Sequence, residues 1–445
     1  MRVDEKVAAS DLLPGIRSLW ELSAGKIRSI EKTCPPDQAS PVFTARGQYT
    51  TRGWTEWTRG FQYGSAILQF DATGDKEFLE LGREKTVRAM ASHLTHVGVH
   101  DHGFNNVSTY GNLWRLMGEG RIPENPWERN FNELALKVSG AVQARRWTKT
   151  REGGFIHSFN GPHSLFADTI RSLRALALSH LLGHVLMEEG DRPVSILERF
   201  DQHARATARH GVYYGEGRDA YDVRGRVAHE SVFNVQDGGA YRCPNSQQGY
   251  SPFTTWTRGL AWIMLGAAEE LECLPALGAT ADLAAVLEKA ARATCDFYIE
   301  HSAADGIPYW DTGAPGLAKM GDYLSRPADP FNEFEPVDSS AAAIAAQGLL
   351  RLGKHVGVSR YTQAGLTVLR TLLGDPYLGK DPGHQGLLLH SVYHRPNGWD
   401  YVPPGAKVPH GESSMWGDYH LREAALYVQR LARKEPYLVF FGGRR

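Results

Sequence analysis

The feature that most constrains this chain is a series of about a dozen helical patterns, whereas strand-like alternation is rare. Apolar residues recur at spacings of three and four, as in Phe166, Ile170, Leu173, Ala177 and Leu181, which is the stripe of a helix packed on other helices. This periodicity predicts an all-α fold. The predicted helices span residues 14–32, 57–72, 76–95, 105–117, 127–145, 164–188, 193–210, 254–272, 279–301, 338–355, 359–374 and 416–433.

The connections between these helices largely alternate between short and long. Short ones lie at 72–75, 189–193 and 355–359, each with a glycine that can end a helix. If consecutive helices run antiparallel, every second connection lies at the same end. The pattern therefore predicts an α/α toroid, a single domain over residues 1–445, with its site on the face that carries the long loops. These loops, rich in Gly, Pro, Asp and aromatic residues, are 96–104, 146–163, 211–253, 302–337 and 375–415.

Composition and charge exclude several classes of protein. The net charge is -1 and no basic block is present, so we expect no nucleic-acid partner. The N-terminal sequence has no apolar region of a signal peptide, and no stretch is long enough to span a bilayer. We therefore expect a cytoplasmic protein without membrane contact, a monomer or a homodimer, although a signal peptide that had been removed would leave no trace.

Cofactor and metal chemistry have no support in the sequence. The four cysteines show no C-x-x-C spacing, which argues against a zinc site or a redox pair. No phosphate loop, Gly-x-Ser-x-Gly or His-Glu-x-x-His motif occurs. We expect neither a cofactor nor a metal.

The stretch 248–262, QGYSPFTTWTRGLAW, combines a glutamine, two tryptophans and an arginine at the start of a predicted helix. Arg258 and Trp262 are four residues apart on that helix, which predicts a cation beside an indole plane. Such a pair suits an anionic sugar, because indole stacks on a pyranose and guanidinium matches a carboxylate. An arginine that stacks on tryptophan only to stabilise a helix end is the alternative.

Two acidic residues are the candidates for chemistry. Asp101 lies between two histidines in the sequence HDHGF, where a glycine lets backbone approach a ligand, although Asp-x-Gly is also common in turns. Asp168 lies near the start of a helix predicted to begin after Gly161 and Pro162, opposite its apolar stripe. Alternatively, Asp168 only interacts with the positive end of the helix dipole. Two carboxylates in one cleft would leave one of them protonated, as hydrolysis at a sugar requires.

Aromatic residues are plentiful, with 11 Trp and 18 Tyr, and several stand beside Gly, Asp or Arg. This pattern favours a carbohydrate-lined cleft. Further candidates are Trp54 and Trp57, His229, Asp311 and the segment 416–420, WGDYH. Each of them also fits a loop anchor, a helix cap or, for the last, a helix that closes the ring.

In this order, the motifs resemble those of the unsaturated glucuronyl hydrolases, glycoside hydrolase family 88. The resemblance runs from about Trp57 to His420. The motifs are W-T-x-G-F at 57–61, H-D-x-G-F at 100–104, the helix with Asp168, Q-G-Y and W-x-R-G-x-A-W within 248–262, P-Y-W-D at 308–311, D-S-S-A-A-A-I-A-A at 338–346 and W-G-D-Y at 416–419.

The resemblance implies an (α/α)6 barrel and a polysaccharide-degrading glycosidase. Such enzymes hydrate the double bond of a 4,5-unsaturated uronic acid at the nonreducing end of lyase-generated oligosaccharides, and the hemiketal then releases the rest of the chain. It implies that Asp168 is the general acid and base and Asp101 the second carboxylate, whose charge would keep a proton on Asp168. The sugar subsite would contain Trp57, His229, Gln248, Trp256, Arg258 and Trp262.

The sequence departs from the family pattern at Thr257 and Leu260, where alanine and glutamine are expected, and in the Thr-Ile-Arg-Ser that follows Asp168. Three other functions stay open. The unsaturated rhamnogalacturonyl hydrolases share the barrel and chemistry but cleave an α linkage. A sugar epimerase on the same barrel would use paired histidines, and a sugar-binding protein would bind without turnover.

Overall fold

Helices form most of the regular secondary structure, in agreement with the predicted periodicity. The structure is a computed structural model that describes residues 1–35, 39–52, 56–278, 281–436 and 439, so the candidate Trp54 lies outside the described residues. The helices are α1 (Leu13–Thr33), α2 (Arg59–Thr73), α3 (Lys76–Ala89), α4 (Ala91–Leu94), α5 (His102–Asn106), α6 (Asn112–Gly118), α7 (Pro126–Arg145), α8 (Thr169–Ser172), α9 (Arg174–Leu181), α10 (Ile196–Ala206), α11 (Thr257–Leu277), α12 (Ala281–His301), α13 (Ser339–Val356), α14 (Ser359–Leu372) and α15 (Met415–Ala432).

The helices form two concentric layers. The inner layer runs α2, α5 with α6, α8 with α9, α11, α13 and α15, and α15 packs back on α2 to close the ring. The outer layer consists of α1, α3, α7, α10, α12 and α14, each of which packs on an inner helix. Helices α13 and α15 are buried along almost their whole length, as an inner layer requires. The fold class predicted from the alternating connections is confirmed.

Glycine ends two helices at predicted short connections. Gly74 and Gly357 follow α2 and α13 with φ of 77° and 67°, the left-handed conformation in which glycine meets no steric penalty. In each case the chain reverses at once into an outer helix, which begins at Lys76 or Ser359. These turns connect inner and outer helices on the face opposite the long loops.

Short strands occur in the connections between helices. They are β1 (Pro41–Ala45), β2 (Gln48–Thr51), β3 (Trp147–Thr150), β4 (Gly153–Ile156), β5 (Ser164–Phe166), β6 (Leu186–Glu188), β7 (Arg192–Val194), β8 (Glu230–Asn234) and β9 (Ala240–Asn245). Apart from the antiparallel sheet β5-β8-β9, the strands form two-stranded pairs. No helix of the described residues is both long and apolar enough to cross a membrane.

The helix predicted over 164–188 is wrong at both ends. Its first residues form β5, which pairs with β8 in the register Leu165↔Ser231, and Leu165 packs against Phe155 and Phe233. This sheet pairing overrides a helical pattern that the sequence supports locally. At the other end α9 stops at Leu181, and Gly183 follows with a φ of 76°. The last predicted helical residues, 186–188, instead form β6, which pairs with β7 in a hairpin.

Candidate active site

The cavity with the candidate residues lies where the inner helices begin. Asp101 precedes α5, Asp168 precedes α8, Trp256 precedes α11 and Asp338 precedes α13, each as the residue at the helix cap. Because the inner helices start at one end of the barrel, their N-terminal N–H groups give that end a positive potential. The cavity is lined by Trp57, Val99, His100, Asp101, Phe104, Phe159, Asp168, Gln247, Gln248, Trp256, Arg258, Trp262, Tyr393, His394 and Trp399.

Both candidate carboxylates reach this cavity, and neither caps its helix. The side chains of Asp101 and Asp168 make no cap hydrogen bond, although each residue sits at a cap position. Asp338, in the same position before α13, accepts hydrogen bonds from the backbone N–H groups of Ser340 and Ala341. The two cavity carboxylates are thus not explained as helix caps.

A close approach of two helices brings the carboxylates together. The backbone N–H of Gly103 donates to Ser172 Oγ at 2.8 Å, and a Cβ on Gly103 would lie 2.4 Å from Ser172 Cα. Only glycine permits this contact between α5 and α8. The glycine of HDHGF was expected to admit a ligand, but its function here is to bring Asp101 close to Asp168.

His100 joins the two carboxylates. Its Nε2 lies 3.2 Å from Asp168 Oδ1 and 3.6 Å from Asp101 Oδ1. The imidazole is 2 % exposed and packs against Phe159 and Phe166. The sequence placed His100 beside Asp101, but its contact with a residue 68 positions away gave no signal in the sequence.

The protonation of this trio differs from the expectation. Burial opposes a charge on His100, but the charge of Asp101 and the hydrogen bond and charge of Asp168 outweigh burial and raise the pKa of His100. Burial and the charge of Asp168 raise the pKa of Asp101 against the pull of His100. Burial would likewise raise the pKa of Asp168, yet the hydrogen bond and charge of His100 lower it. The prediction that Asp168 keeps a proton in the free protein is wrong, because His100 stabilises its ionised form.

Arg258 lies in the cavity wall, but its partners differ from those predicted. Its guanidinium lies 4.7 Å from the Trp256 ring centre and 4.9 Å from that of Trp416, so the expected stacking on Trp262 is wrong. Its Nη1 donates to Asp338 Oδ2 at 2.8 Å, and further hydrogen bonds from its Nη1 and Nη2 reach the Val392 and Tyr393 carbonyl oxygens and Gln248 Oε1. The carboxylate that matches this guanidinium therefore belongs to the chain itself.

The predicted tryptophans form the aromatic wall. Trp57 is half-buried and stacks on Trp416, with ring centres 5.0 Å apart. Trp262 packs against Phe104 at 4.9 Å, and Trp256 is almost fully buried. Their rings line the same cavity as Asp101, Asp168 and His100, as expected for a cleft that holds a sugar.

His229 lies beside this wall because of the sheet. It directly precedes β8, and its carbonyl oxygen accepts the Ala167 N–H at 2.9 Å, which places it next to Asp168. Its ring contacts Trp256 at 4.6 Å. Its Nδ1 accepts the backbone N–H of Gln247 at 2.9 Å.

Two further candidates are loop anchors. Asp311 is fully buried and accepts backbone N–H groups of Tyr250 and Gly313 at 2.8 and 2.9 Å. Within the segment 416–420, Asp418 accepts the N–H groups of Leu387 and Leu388. Neither carboxylate lines the cavity.

The cavity also contains residues that the sequence analysis missed. Tyr393, His394 and Trp399 belong to the long loop before α15. The sequence of this loop contains no motif that distinguishes them from ordinary loop residues. Across the part of the chain that the structure describes, no group of three or more His, Cys, Asp or Glu residues could hold a metal ion.

Two concentric layers of helices, with a carboxylate pair inside an aromatic cavity at one end, make this chain an (α/α)6 barrel. No family model matches the chain. It is 27% identical to the unsaturated glucuronyl hydrolase of Bacillus sp. (strain GL1) over 409 residues, which cover 88% of this chain and 92% of the relative. It is also 27% identical to the unsaturated chondroitin disaccharide hydrolase of Streptococcus pyogenes serotype M1, over 86% of this chain and 84% of the relative.

Solved structures agree with this likeness. The crystal structure of the Bacillus sp. GL1 unsaturated glucuronyl hydrolase superposes with a TM-score of 0.69 at 24% identity, over 93% of this chain and 97% of that one. The unsaturated glucuronyl hydrolase of Streptococcus agalactiae gives 0.71 at 19% identity, over 99% of both chains. The predicted resemblance to the unsaturated glucuronyl hydrolases is confirmed.

Proposed function

We propose that this chain removes the 4,5-unsaturated uronic acid from the nonreducing end of lyase-generated oligosaccharides, and that Asp168 and Asp101 are its catalytic residues. The observation that carries the proposal is the placement of His100 Nε2 within 3.2 and 3.6 Å of two carboxylates inside a tryptophan-lined cavity. The names of the relatives, unsaturated glucuronyl hydrolase and unsaturated chondroitin disaccharide hydrolase, support the same substrate class.

The positive end of the inner helices accounts for the preference for an anion. The first turns of α11, α13 and α15 point their N–H groups toward the cavity end of the barrel. Trp57, Trp256 and Trp262 provide apolar faces for the pyranose ring, and Gln248 and His229 provide polar groups. Arg258 stabilises Gln248 and the loop at Tyr393.

The reaction begins with a proton transfer to carbon 4 of the sugar. In the free protein the raised pKa of His100 favours a proton on its Nε2, which lies 3.2 Å from Asp168 Oδ1. The carboxylate of the bound uronic acid adds a negative charge to the cavity, which favours a neutral, protonated Asp168. The proton then passes from His100 to Asp168 and from Asp168 to carbon 4, and positive charge develops at carbon 5 beside the ring oxygen.

A water molecule completes the hydration. Asp168, now ionised again, removes a proton from the water as the water oxygen adds to carbon 5. That proton then passes from Asp168 back to His100. Asp101 stays near the trio as the second carboxylate and compensates the charge of His100. The hemiketal opens between carbon 5 and the ring oxygen, and the hemiacetal at carbon 1 then releases the remaining saccharide. One water is consumed in total.

Two substrates separate this reaction from ordinary glycoside hydrolysis. An ordinary glycosidase acts at the anomeric carbon and needs no double bond, so it would cleave saturated glucuronides. We expect this chain to cleave unsaturated disaccharides, with loss of the ultraviolet band of the conjugated enoate, and to leave the saturated ones intact.

Turnover in heavy water tests the site of protonation. We expect mass spectrometry of the quenched product to find deuterium at carbon 4, after a control for later exchange of the keto product. Cleavage of saturated glucuronides at comparable rates, or a product without deuterium at carbon 4, would contradict the hydration mechanism. Cleavage restricted to α-linked unsaturated rhamnogalacturonan products would instead assign the chain to the neighbouring enzyme class.

The same proposal includes a single catalytic domain over residues 1–445, a cytoplasmic location, no nucleic-acid partner and a monomer or homodimer. Contacts between α1 and α15 support the single domain, because they join the two ends of the chain in one ring. The net charge of -1 supports the absence of a nucleic-acid partner.

A further inference from the structure

A histidine in the loop before α15 faces the cavity without a protein partner for one of its nitrogen atoms. His394 lines the cavity, is 3 % exposed, and its Nε2 is buried with no hydrogen-bond partner among the described residues. A buried polar group without a partner costs free energy in the free protein. A ligand that accepts a hydrogen bond would remove this cost.

The tautomer of His394 follows from its surroundings. Its Nδ1 accepts the backbone N–H of Asn397 at 3.3 Å, so the neutral ring carries its hydrogen on Nε2. Burial, the largest cause, and the charge of Arg258 lower the pKa of His394 to about 4, which keeps the ring neutral near pH 7. The side chain is therefore a hydrogen-bond donor with no acceptor among the residues that the structure describes.

His229, beside the cavity wall, has the same hydrogen-bonding arrangement. Its Nδ1 accepts the Gln247 N–H, and its Nε2 is likewise buried and unpartnered within the described chain. The two imidazoles are close enough for a charge on His394 to lower the pKa of His229. A second neutral N–H donor of the same type thus lies beside the cavity wall, against Trp256.

The loop around His394 is held in place before any ligand binds. Asp400 accepts the backbone N–H groups of Tyr393 and His394, and the Trp399 ring packs against the imidazole at 4.8 Å. Arg258 donates to the Tyr393 carbonyl oxygen at 2.7 Å. These contacts fix the direction of the imidazole, which reduces the entropy lost when a ligand binds.

The guanidinium of Arg258 in the cavity wall has no comparable freedom. Both Nη atoms of Arg258 are already bonded to Asp338, Gln248 and carbonyl oxygens of the loop. A ligand oxygen that entered here would meet the neutral donor of His394, whose Nε2 has no hydrogen-bond partner among the described residues.

We propose that His394 is a ligand-binding residue whose Nε2–H donates a hydrogen bond to an oxygen of the unsaturated uronic acid. The inference rests on the proposed function, because it names one more group that binds the same sugar. His394 provides affinity and orientation, while the proton transfers stay with Asp168 and His100.

Kinetics of two substitutions test this assignment on the purified full chain. His394→Leu removes the donor, and we expect KM for an unsaturated disaccharide to rise about tenfold, the scale of a lost hydrogen bond to a sugar oxygen. His394→Gln retains an N–H donor and should recover part of that loss. The control is His410→Gln, in the same loop but outside the cavity lining, which should leave KM unchanged.

A second measurement needs no substitution. In protein with ¹⁵N-labelled histidine, the Nε2–H of His394 should be present at pH 7, and its resonance should shift when unsaturated disaccharide is added to the Asp168→Asn variant. This measurement decides the question even when His394→Leu fails to fold.

The outcomes for the two proposals are distinguishable. Turnover by the unaltered chain with an unchanged KM for folded His394→Leu, or an Nε2 resonance that ignores the sugar, would overturn the role of His394 alone. Absence of turnover by the unaltered chain on every unsaturated disaccharide would overturn the proposed function and this inference with it.

Discussion

Two clusters of buried charges differ in charge balance, although one residue of each, Asp168 and Arg171, are only three positions apart in the sequence. The ionic core contains Arg171, Arg174, Glu269 and Glu423, two cations and two acids. Arg171 contacts two acids, Glu269 at 2.9 Å and Glu423 at 2.7 Å. The cavity trio of Asp101, Asp168 and His100 has two acids for one base.

The difference teaches which buried charges are available for chemistry. In the ionic core, burial opposes ionisation of Glu423, but Arg171 and Arg174 outweigh it and lower the pKa of Glu423 to about 2. Such a group keeps its charge at any physiological pH. In the trio no arrangement satisfies all three groups, so the pKa of Asp101 is raised while that of Asp168 is lowered. A proton that is shared among unequal partners is one that can move.

Removal of one acid from the trio is expected to have the largest effect. Asp168→Asn should lower kcat/KM by about 10²- to 10⁴-fold, because it removes the group that exchanges protons with the sugar. The midpoint of thermal unfolding should change little, because the Asp168 side chain caps no helix. The Asp101→Asn variant should also show a severe loss of kcat/KM. Near-normal rates in either folded variant would contradict the catalytic assignment.

Removal of one acid from the ionic core should give the opposite result. Glu423→Gln leaves the guanidinium groups of Arg171 and Arg174 without full compensation, and it should lower the free energy of unfolding by about 3–5 kcal/mol. Chemical denaturation measures this loss. At a temperature where the variant is still folded, kcat/KM should stay close to that of the unaltered chain. A large loss of kcat without loss of stability would mean that the ionic core takes part in the chemistry.

The pH profile tests the histidine of the trio. Because the pKa of His100 is raised, the proton it shares should be present below this pKa and lost as the pH rises through it, so kcat/KM should fall on the alkaline side. His100→Gln keeps a hydrogen-bond donor but holds no mobile proton, and we expect it to lower the rate about 10- to 100-fold. It should also remove this alkaline decline. A variant that is slower with an unchanged profile would show that His100 is only a spacer.

The smallest expected difference concerns Arg258. The sequence suggests that Arg258→Ala harms an anionic substrate more than a neutral analogue. In the structure its charge is paired with Asp338 at 2.8 Å, so we expect Arg258→Ala to reduce kcat/KM by the same factor for the uronic acid and for its methyl ester. A selective loss with the anion would restore Arg258 as the partner of the uronate.

The sequence was informative where structure depends on local pattern. The stripe at Ile170, Leu173 and Ala177, and the glycines at 74 and 357, predict helices and their ends because amphipathicity and left-handed backbone are properties of neighbouring residues. The same reasoning failed at Leu165. There the partner is Ser231 on another strand, and no local pattern reveals it.

The candidate site shows the same division. Asp101, Asp168 and six subsite residues could be named from ordered motifs, and seven of these eight line the cavity, with His229 beside it. The motifs could not show that Gly103 allows α5 to approach α8 or that Arg258 pairs with Asp338. His394 was not predicted, since its importance comes only from an unpartnered Nε2.

The sequence by itself therefore determined the helical ring, the end that carries the long loops and the residue types available for chemistry, because these depend on periodicity and spacing along the chain. Only the tertiary structure decided which of the two acids has its pKa lowered and which has it raised. The pKa of Asp168 depends on His100, 68 residues away in sequence and 3.2 Å away in space. Electrostatic energy depends on distance and burial, and neither quantity exists until the inner helices have packed.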